Sequence, residues 1–321
     1  MSVSLIRYGR KILPLLALAA GMFAVDAQVV QAQVVPGTGT KVQNVGDDFE
    51  DPEWGFTHNF PKGSKEQDKQ TRGPTGFSTN RRWYEGPMRG QPDYLTRVET
   101  PEGGLPGSTG ALLMRSLRTG VPSYVSHKQQ QDDLVANMRS GGIGHLSVSR
   151  TPSVVTRVYI PDFKQWEQRS GVSFGFRAGT WGTYYGNSYT DKEGKKVKTG
   201  DFDEYWPGMF IRLNPARGEQ PTTAQLLIRS NSRGADMPGP VIHEPGWWTL
   251  GMSFTPDGKI HYYASPGVDP LVAEDYVTSA NPYSFRCSRF STFFFNVVNN
   301  DDGRSWSTPW IVDDSEVFVL R

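Results

Sequence analysis

Residues 306–321 read Trp-Ser-Thr-Pro-Trp-Ile-Val-Asp-Asp-Ser-Glu-Val-Phe-Val-Leu-Arg. From Ile311 onward the stretch alternates as an extended strand does. Ile311, Asp313, Ser315, Val317 and Val319 fall on one side, and Val312, Asp314, Glu316, Phe318 and Leu320 on the other. A strand at the end of a chain needs partners for its backbone groups. The early segment Asp47-Asp48-Phe49-Glu50-Asp51 matches it, with an acidic pair beside aromatic residues in both. Pairing of the two predicts an all-β body closed by its own ends.

The chain has 321 residues, enough for one large β domain or two smaller ones. Its 34 Lys and Arg against 33 Asp and Glu argue against bulk attraction to nucleic acid or an anionic membrane. With 35 Gly, 23 Pro and 12% aromatic residues, the composition favours strands joined by turns. Cys287 is the sole cysteine, so no intramolecular disulfide forms; it reads as a buried structural thiol.

At the N-terminus Arg7, Arg10 and Lys11 precede an apolar run over 12–25, followed by the small-residue cleavage candidates Val25-Asp26-Ala27 and Val30-Gln31-Ala32. The run is shorter than the roughly 20 residues of a spanning helix. We expect a signal peptide over 1–32, a polar linker over 33–43 and a single domain over 44–321. That organisation implies a secreted or periplasmic protein with no membrane insertion after cleavage; an uncleaved anchor is the alternative.

Strands are expected at 111–117, 153–161, 171–178, 208–214, 225–230, 247–255, 259–265 and 291–298, from apolar runs and period-two alternation. Pro256-Asp257-Gly258 reads as a tight hairpin turn, Pro presetting φ and Gly taking the left-handed position. Residues 61–76 read as a loop and 121–144 as an insertion or irregular loop. Many strands with few helices predict a two-sheet antiparallel β-sandwich with long loops.

Trp247-Trp248-Thr249-Leu250-Gly251-Met252-Ser253-Phe254, followed by Pro256-Asp257-Gly258-Lys259-Ile260-His261-Tyr262-Tyr263, resembles the paired back strands of concanavalin A-like jelly rolls. Asp48-Phe49-Glu50 and Trp310-Ile311-Val312-Asp313-Asp314 are similar to the terminal strands of jelly-roll carbohydrate-binding modules. The resemblance spans 45–321 and implies a jelly-roll sandwich of the lectin and glucanase superfamily, which hosts binders and enzymes alike. It also implies a structural Ca²⁺ between the end strands, for which Asp48, Glu50 and Asp314 are the candidate ligands. The plainer reading makes them ordinary polar strand ends.

A sugar-binding face combines aromatic platforms with polar side chains. Residues 180–187 and 201–206 are rich in both, so Trp181, Tyr184 and Tyr205 are candidate glycan contacts. Arg177 and Arg212 sit on strands among apolar neighbours and suit uronate carboxylates or sulfates. Edge packing and structural ion pairing account for the same residues without a ligand. For catalysis, the E-x-D-x-x-E pair of concanavalin A-like glucanases is missing. Tyr184, Tyr185 and His243 are candidates for a lyase base and acid beside the arginines, although the setting of His243 between Pro240 and Gly246 equally suits a surface residue. The leading expectation is a secreted protein that binds a polysaccharide or other glycan. The alternatives are a polysaccharide lyase or glycoside hydrolase of the same fold, and a structural or protein-interaction module of the cell envelope.

Overall fold

The computed structural model describes residues 35–190 and 194–320; the expected signal peptide lies outside the described residues. In chain order the elements are β1 (Thr40–Asp47), β2 (Phe56–Thr57), the one-turn helix α1 (Lys65–Asp68), β3 (Phe77–Ser78), β4 (Trp83–Glu85), β5 (Tyr94–Val98), β6 (Ala111–Arg115) and β7 (Gln130–Ala136). Next come β8 (Leu146–Ser147), β9 (Pro152–Ile160), β10 (Val172–Tyr184), β11 (Tyr189–Thr190), β12 (Lys196–Val197), β13 (Phe202–Tyr205) and β14 (Gly208–Asn214). The chain closes with β15 (Thr223–Ile228), β16 (Met237–Ile242), β17 (Gly246–Phe254), β18 (Ile260–Pro266), β19 (Tyr276–Ala280), β20 (Phe285–Asn299) and β21 (Trp310–Val319).

Two antiparallel sheets carry the fold. The smaller runs β19-β18-β17-β9-β21-β6-β5, with β1 also on β21; the larger runs β16-β15-β14-β10-β20-β7-β4-β3-β2, with β13 on β10 and β8 on β20. Alternation explains which faces meet. Phe174, Phe176 and Ala178 of β10, Phe293 and Phe295 of β20, and Met209 and Ile211 of β14 are fully buried toward the smaller sheet. Each buried Phe contributes roughly 2–3 kcal/mol of transfer free energy. Trp83 stacks on Phe295 at 5.5 Å, and Trp310 packs 4.9 Å from both Phe174 and Trp166, so aromatic rings fill the middle of the sandwich. Among the described residues no helix is long and apolar enough to cross a membrane.

The chain ends pair as expected, with Thr40 opposite Val319 and Asp47 opposite Ser315. Two details differ. The simple alternation of the last strand breaks between Asp313 and Glu316, where Asp314 takes a φ of 41° and the register with β9 shifts. This bulge lets Trp310 and Val312 face the core before it, and Val317 and Val319 after it. The strand also meets residues upstream of those expected. Of the 47–51 segment only Asp47 joins the ladder, while Phe49, at φ 55°, turns its ring into the core. Part of the expected linker is therefore structural: Thr40 opens β1, and Val35 is buried in a cluster with Val155, Tyr263 and Leu271.

A further correction concerns 121–144, where the larger sheet holds β7 between β20 and β4. Its polar sequence hid it. Asp132 points inward, and the Lys62 ammonium, 2.6 Å away, and the Ser116 hydroxyl, also at 2.6 Å, make that burial tolerable. The 256–258 turn joins β17 to β18 as expected, with Gly258 at φ 81°.

Candidate functional site

The outer face of the larger sheet is built by the residues that alternate with its core set. On β10 these are Gly175, Arg177, Gly179 and Trp181. Gly179 stands opposite Thr292 of β20, and Trp181 lies between Glu204 of β13 and Arg289 of β20. Farther across, Phe294 is opposite Val135, and Val135 opposite Tyr84. Of these, Glu204, Thr292 and Tyr84 line a groove of 590 Å³ that crosses the strands from Glu204 to Phe77, with Arg81 and Arg139 also in its wall. At Gly179 an added Cβ would lie 3.0 Å from Thr292 Cγ2 and 3.7 Å from a Glu204 oxygen, so the missing side chain keeps the floor low beside that carboxyl.

Buried carboxylates hold the groove's far wall. Glu85 accepts hydrogen bonds from Gly63 N at 2.6 Å, Asn59 Nδ2 at 2.7 Å and Gly76 N at 3.2 Å, fixing the loop that leads into Phe77. Asp47 accepts from Asn80 Nδ2 at 2.6 Å and Trp54 Nε1 at 3.0 Å, which secures the turn carrying Arg81. The Arg81 guanidinium lies 3.5 Å over the Phe77 ring. The two carboxylates are committed to structure.

The groove also contains polar groups that are not. Among the described residues the Glu204 carboxyl, the Tyr84 hydroxyl and the Arg139 guanidinium make no hydrogen bond or ion pair. Burial, and then the charge of Asp203, pushes the Glu204 carboxyl above the usual carboxylate range. Burial raises the Tyr84 phenol, the Glu204 charge raises it further and Arg139 opposes the shift. Beside Glu204, Trp181 stacks on Phe202 at 5.7 Å, and the Arg289 guanidinium lies 5.4 Å from the Phe202 ring. A flat apolar platform thus adjoins a carboxyl, a phenol and two guanidiniums.

Along β10 from Gly179, Arg177 donates through Nη2 to Trp206 O at 2.8 Å and sits over the rings of Phe294 and Phe210 at 5.3 and 5.4 Å. Its Nε is buried without a partner. Next to it Asp133 accepts from Asn296 Nδ2 at 2.7 Å and Gln131 Nε2 at 2.9 Å; burial raises its pKa against the pull of Arg89 and Arg177. Arg212 shares this outer face. It stands opposite Val172, five residues along β10 from Arg177, or about 16 Å at the usual strand rise.

The sequence-expected residues therefore divide. Arg177, Trp181 and Arg212 lie on the outer face. Tyr184 and Tyr205 do not, because β10 continues to Tyr184 and the residues fall on the inward parity. Tyr184 is 6% exposed and its hydroxyl donates to Asn187 O at 2.7 Å; Tyr205 is 2% exposed and stacks on Phe285 at 4.7 Å. Tyr185 is exposed, with Arg286 over its ring at 5.7 Å. His243 is exposed on the turn between β16, at the sheet edge, and β17. It and the two tyrosines do not gather around Arg177. Glu204, Tyr84 and Arg139 were missed. Arg81 and Tyr84 lie in the run Asn80-Arg81-Arg82-Trp83-Tyr84-Glu85-Gly86 and Glu204 in the 201–206 segment, but only the β13-β10-β20-β7-β4 pairing brings them together.

The calcium candidates meet a specific difficulty. Glu50 directs both oxygens to Thr109 N, at 2.9 and 3.1 Å, and also accepts from Thr109 Oγ1 at 2.5 Å and Gly110 N at 3.4 Å. Asp48 is exposed and Asp314 half-buried at the bulge. Among the described residues no group of three or more His, Cys, Asp or Glu side chains is arranged to hold a metal ion. The set Asp48, Glu50 and Asp314 does not fit a Ca²⁺ shell as placed.

No family model matches the chain, and no curated protein does. Among solved structures, a carbohydrate esterase from the Shiga toxin-encoding bacteriophage phi24B aligns at 8% identity and a TM-score of 0.39, over 75% of this chain and 91% of that one. The GH131 β-glucanase catalytic domain of Podospora anserina aligns at 8% identity and 0.38, over 70% and 78%. An alginate lyase of Pseudomonas aeruginosa aligns at 10% identity and 0.33, over 72% and 85%.

Proposed function

We propose that this protein is an exported β-sandwich that binds an acidic polysaccharide in the groove across its larger sheet. The observation that carries this function is the groove with its uncommitted Arg139, Tyr84 and Glu204, and the Trp181–Phe202 platform beside its Glu204 end. Sugar rings present apolar faces to aromatic rings, and their hydroxyls and carboxylates take hydrogen bonds from guanidinium and phenol groups. Arg81 and Arg139 against Glu204 favour an anionic chain over a neutral one. Export follows from the leader-like residues 1–32, and fractionation of the producing cells tests it.

Titration calorimetry against polyuronates, sulfated glycans and neutral glucans checks the binding. Arg139→Ala is expected to weaken binding about tenfold, since one charge-assisted hydrogen bond contributes roughly 1.5–3 kcal/mol. Absence of binding to every polysaccharide would overturn this function.

A second function has one observation in its favour. A carboxyl held toward its protonated form beside a phenol is suited to proton transfer during chain cleavage. Incubation with each polysaccharide separates the two: new reducing ends or ultraviolet-absorbing unsaturated ends mark an enzyme, and an unchanged polymer marks a binder.

A further inference from the structure

A second pocket, of 390 Å³, opens at the opposite end of β10 and β14 from the groove. It is lined by Arg212, Arg217, Asn214, Gln220, Ser170 and Thr223, and no acidic side chain lines it. Among the described residues neither guanidinium is ion-paired, and Arg212 Nε is buried with no hydrogen-bond partner. Two arginines without a carboxylate leave a local positive charge inside a concavity, ringed by amides and hydroxyls that match sugar hydroxyls.

The pocket's position gives that charge a use. Arg212 stands opposite Val172, and the groove floor at Thr292 stands opposite Gly179. Seven residues of β10 separate them, about 23 Å at the usual strand rise. The face between mixes polar side chains with the Phe210 and Phe294 rings. It holds Arg177, with an unpartnered Nε, and Asn296, whose side-chain oxygen is buried and likewise unpartnered.

We infer that the Arg212–Arg217 pocket is a second anion subsite, taking a carboxylate or sulfate ester farther along the same polysaccharide chain that fills the groove. The inference rests on the acidic-polysaccharide function proposed above. One chain engaging both subsites gains the second contact at high effective concentration, so affinity climbs once the chain is long enough to span them.

Calorimetry with size-fractionated oligomers of a polyuronate, and separately of a sulfated glycan, tests this. With wild-type protein, affinity is expected to step up by about tenfold or more beyond a threshold length. The series that shows the step identifies carboxylate or sulfate as the anion. The double variant Arg212→Ala, Arg217→Ala is expected to lose the step and keep wild-type affinity for the shortest binding oligomers. Arg217→Ala alone, at an exposed position, is expected to shrink the step and serves if the double variant does not fold. A step that survives in the variants, or wild-type affinity that does not depend on length, overturns the second subsite and leaves the groove standing. Failure of every oligomer and polymer to bind wild-type protein overturns both.

Discussion

Lys62 shows what a single buried charge asks of its surroundings. Its ammonium is 3.0 Å from Asp93 and 2.6 Å from Asp132, and donates to Arg118 O at 2.5 Å. The two carboxylates hold its pKa above the ordinary lysine value despite burial, so it stays protonated. Replacing Lys62 with Met leaves Asp132 buried without its counter-ion. We expect a loss of about 3–5 kcal/mol in denaturant unfolding. Glu204 makes the opposite kind of prediction. Its folded pKa is raised above 4.5, so the carboxyl is largely neutral up to that raised value and anionic above it. An acidic glycan in the groove is repelled only by the anion. Binding should therefore strengthen as pH falls through the raised pKa, and Glu204→Gln should bind more tightly at pH 7 and flatten the profile. A wild-type profile unchanged by the substitution would remove Glu204 from the groove's electrostatics.

At the scale of the element, the bulge in β21 concentrates acidity. Asp313 is pushed up to about 7 by burial and by the charge of Asp314, and Asp314 to about 6, chiefly by burial. Both are raised above the 3.8 of the unfolded chain, so the folded state binds more protons across that window. Their contribution to stability is greatest below pH 3.8, falls as pH rises toward 6 and 7, and stays at its minimum above. Each group changes stability by at most about 1.4 kcal/mol per pH unit. Asp313→Asn keeps an acceptor for Asp314 N and is expected to stabilise the protein at pH 8 relative to wild type, with the gain vanishing near pH 4. Melting curves across pH check this. EDTA is expected to leave the midpoint unchanged, because Glu50 is already occupied by Thr109 and Gly110; a fall on chelation would restore calcium to these strands.

The same strand shows where sequence reading stops. The span 208–214 and the 256–258 turn were legible because alternation and turn chemistry are local. The phase of β21 was not, since a bulge leaves no mark when the residue at positive φ is an aspartate rather than a glycine. Nor was β7, because Asp132 is tolerable inside only through partners outside the strand, Ser116 and Lys62, the latter 70 residues earlier. Arg177 and Trp181 were reachable from the parity of β10. Tyr84, Arg139 and Glu204 were not, since their proximity is made by strand pairings distant in sequence.

For the whole molecule, the packing of residues 35–43 makes a direct prediction. Val35 and Val42 are 5% and 8% exposed, and β1 covers part of β21. Beginning the chain at residue 44 should lower the melting midpoint by about 5 °C or more, given that 1 kcal/mol moves a domain of this size by roughly 2–4 °C. An unaltered midpoint would show that this segment adds nothing to the fold.

Thr40 and Val319 pair on adjacent strands of the smaller sheet, while the groove opens on the outward side of the larger. Tethers leading away from Thr40 and from Val319 therefore start at the same corner, on the layer that does not carry the groove. Immobilised through either of these points on a sensor chip or a bead, the molecule presents the same side to the solution.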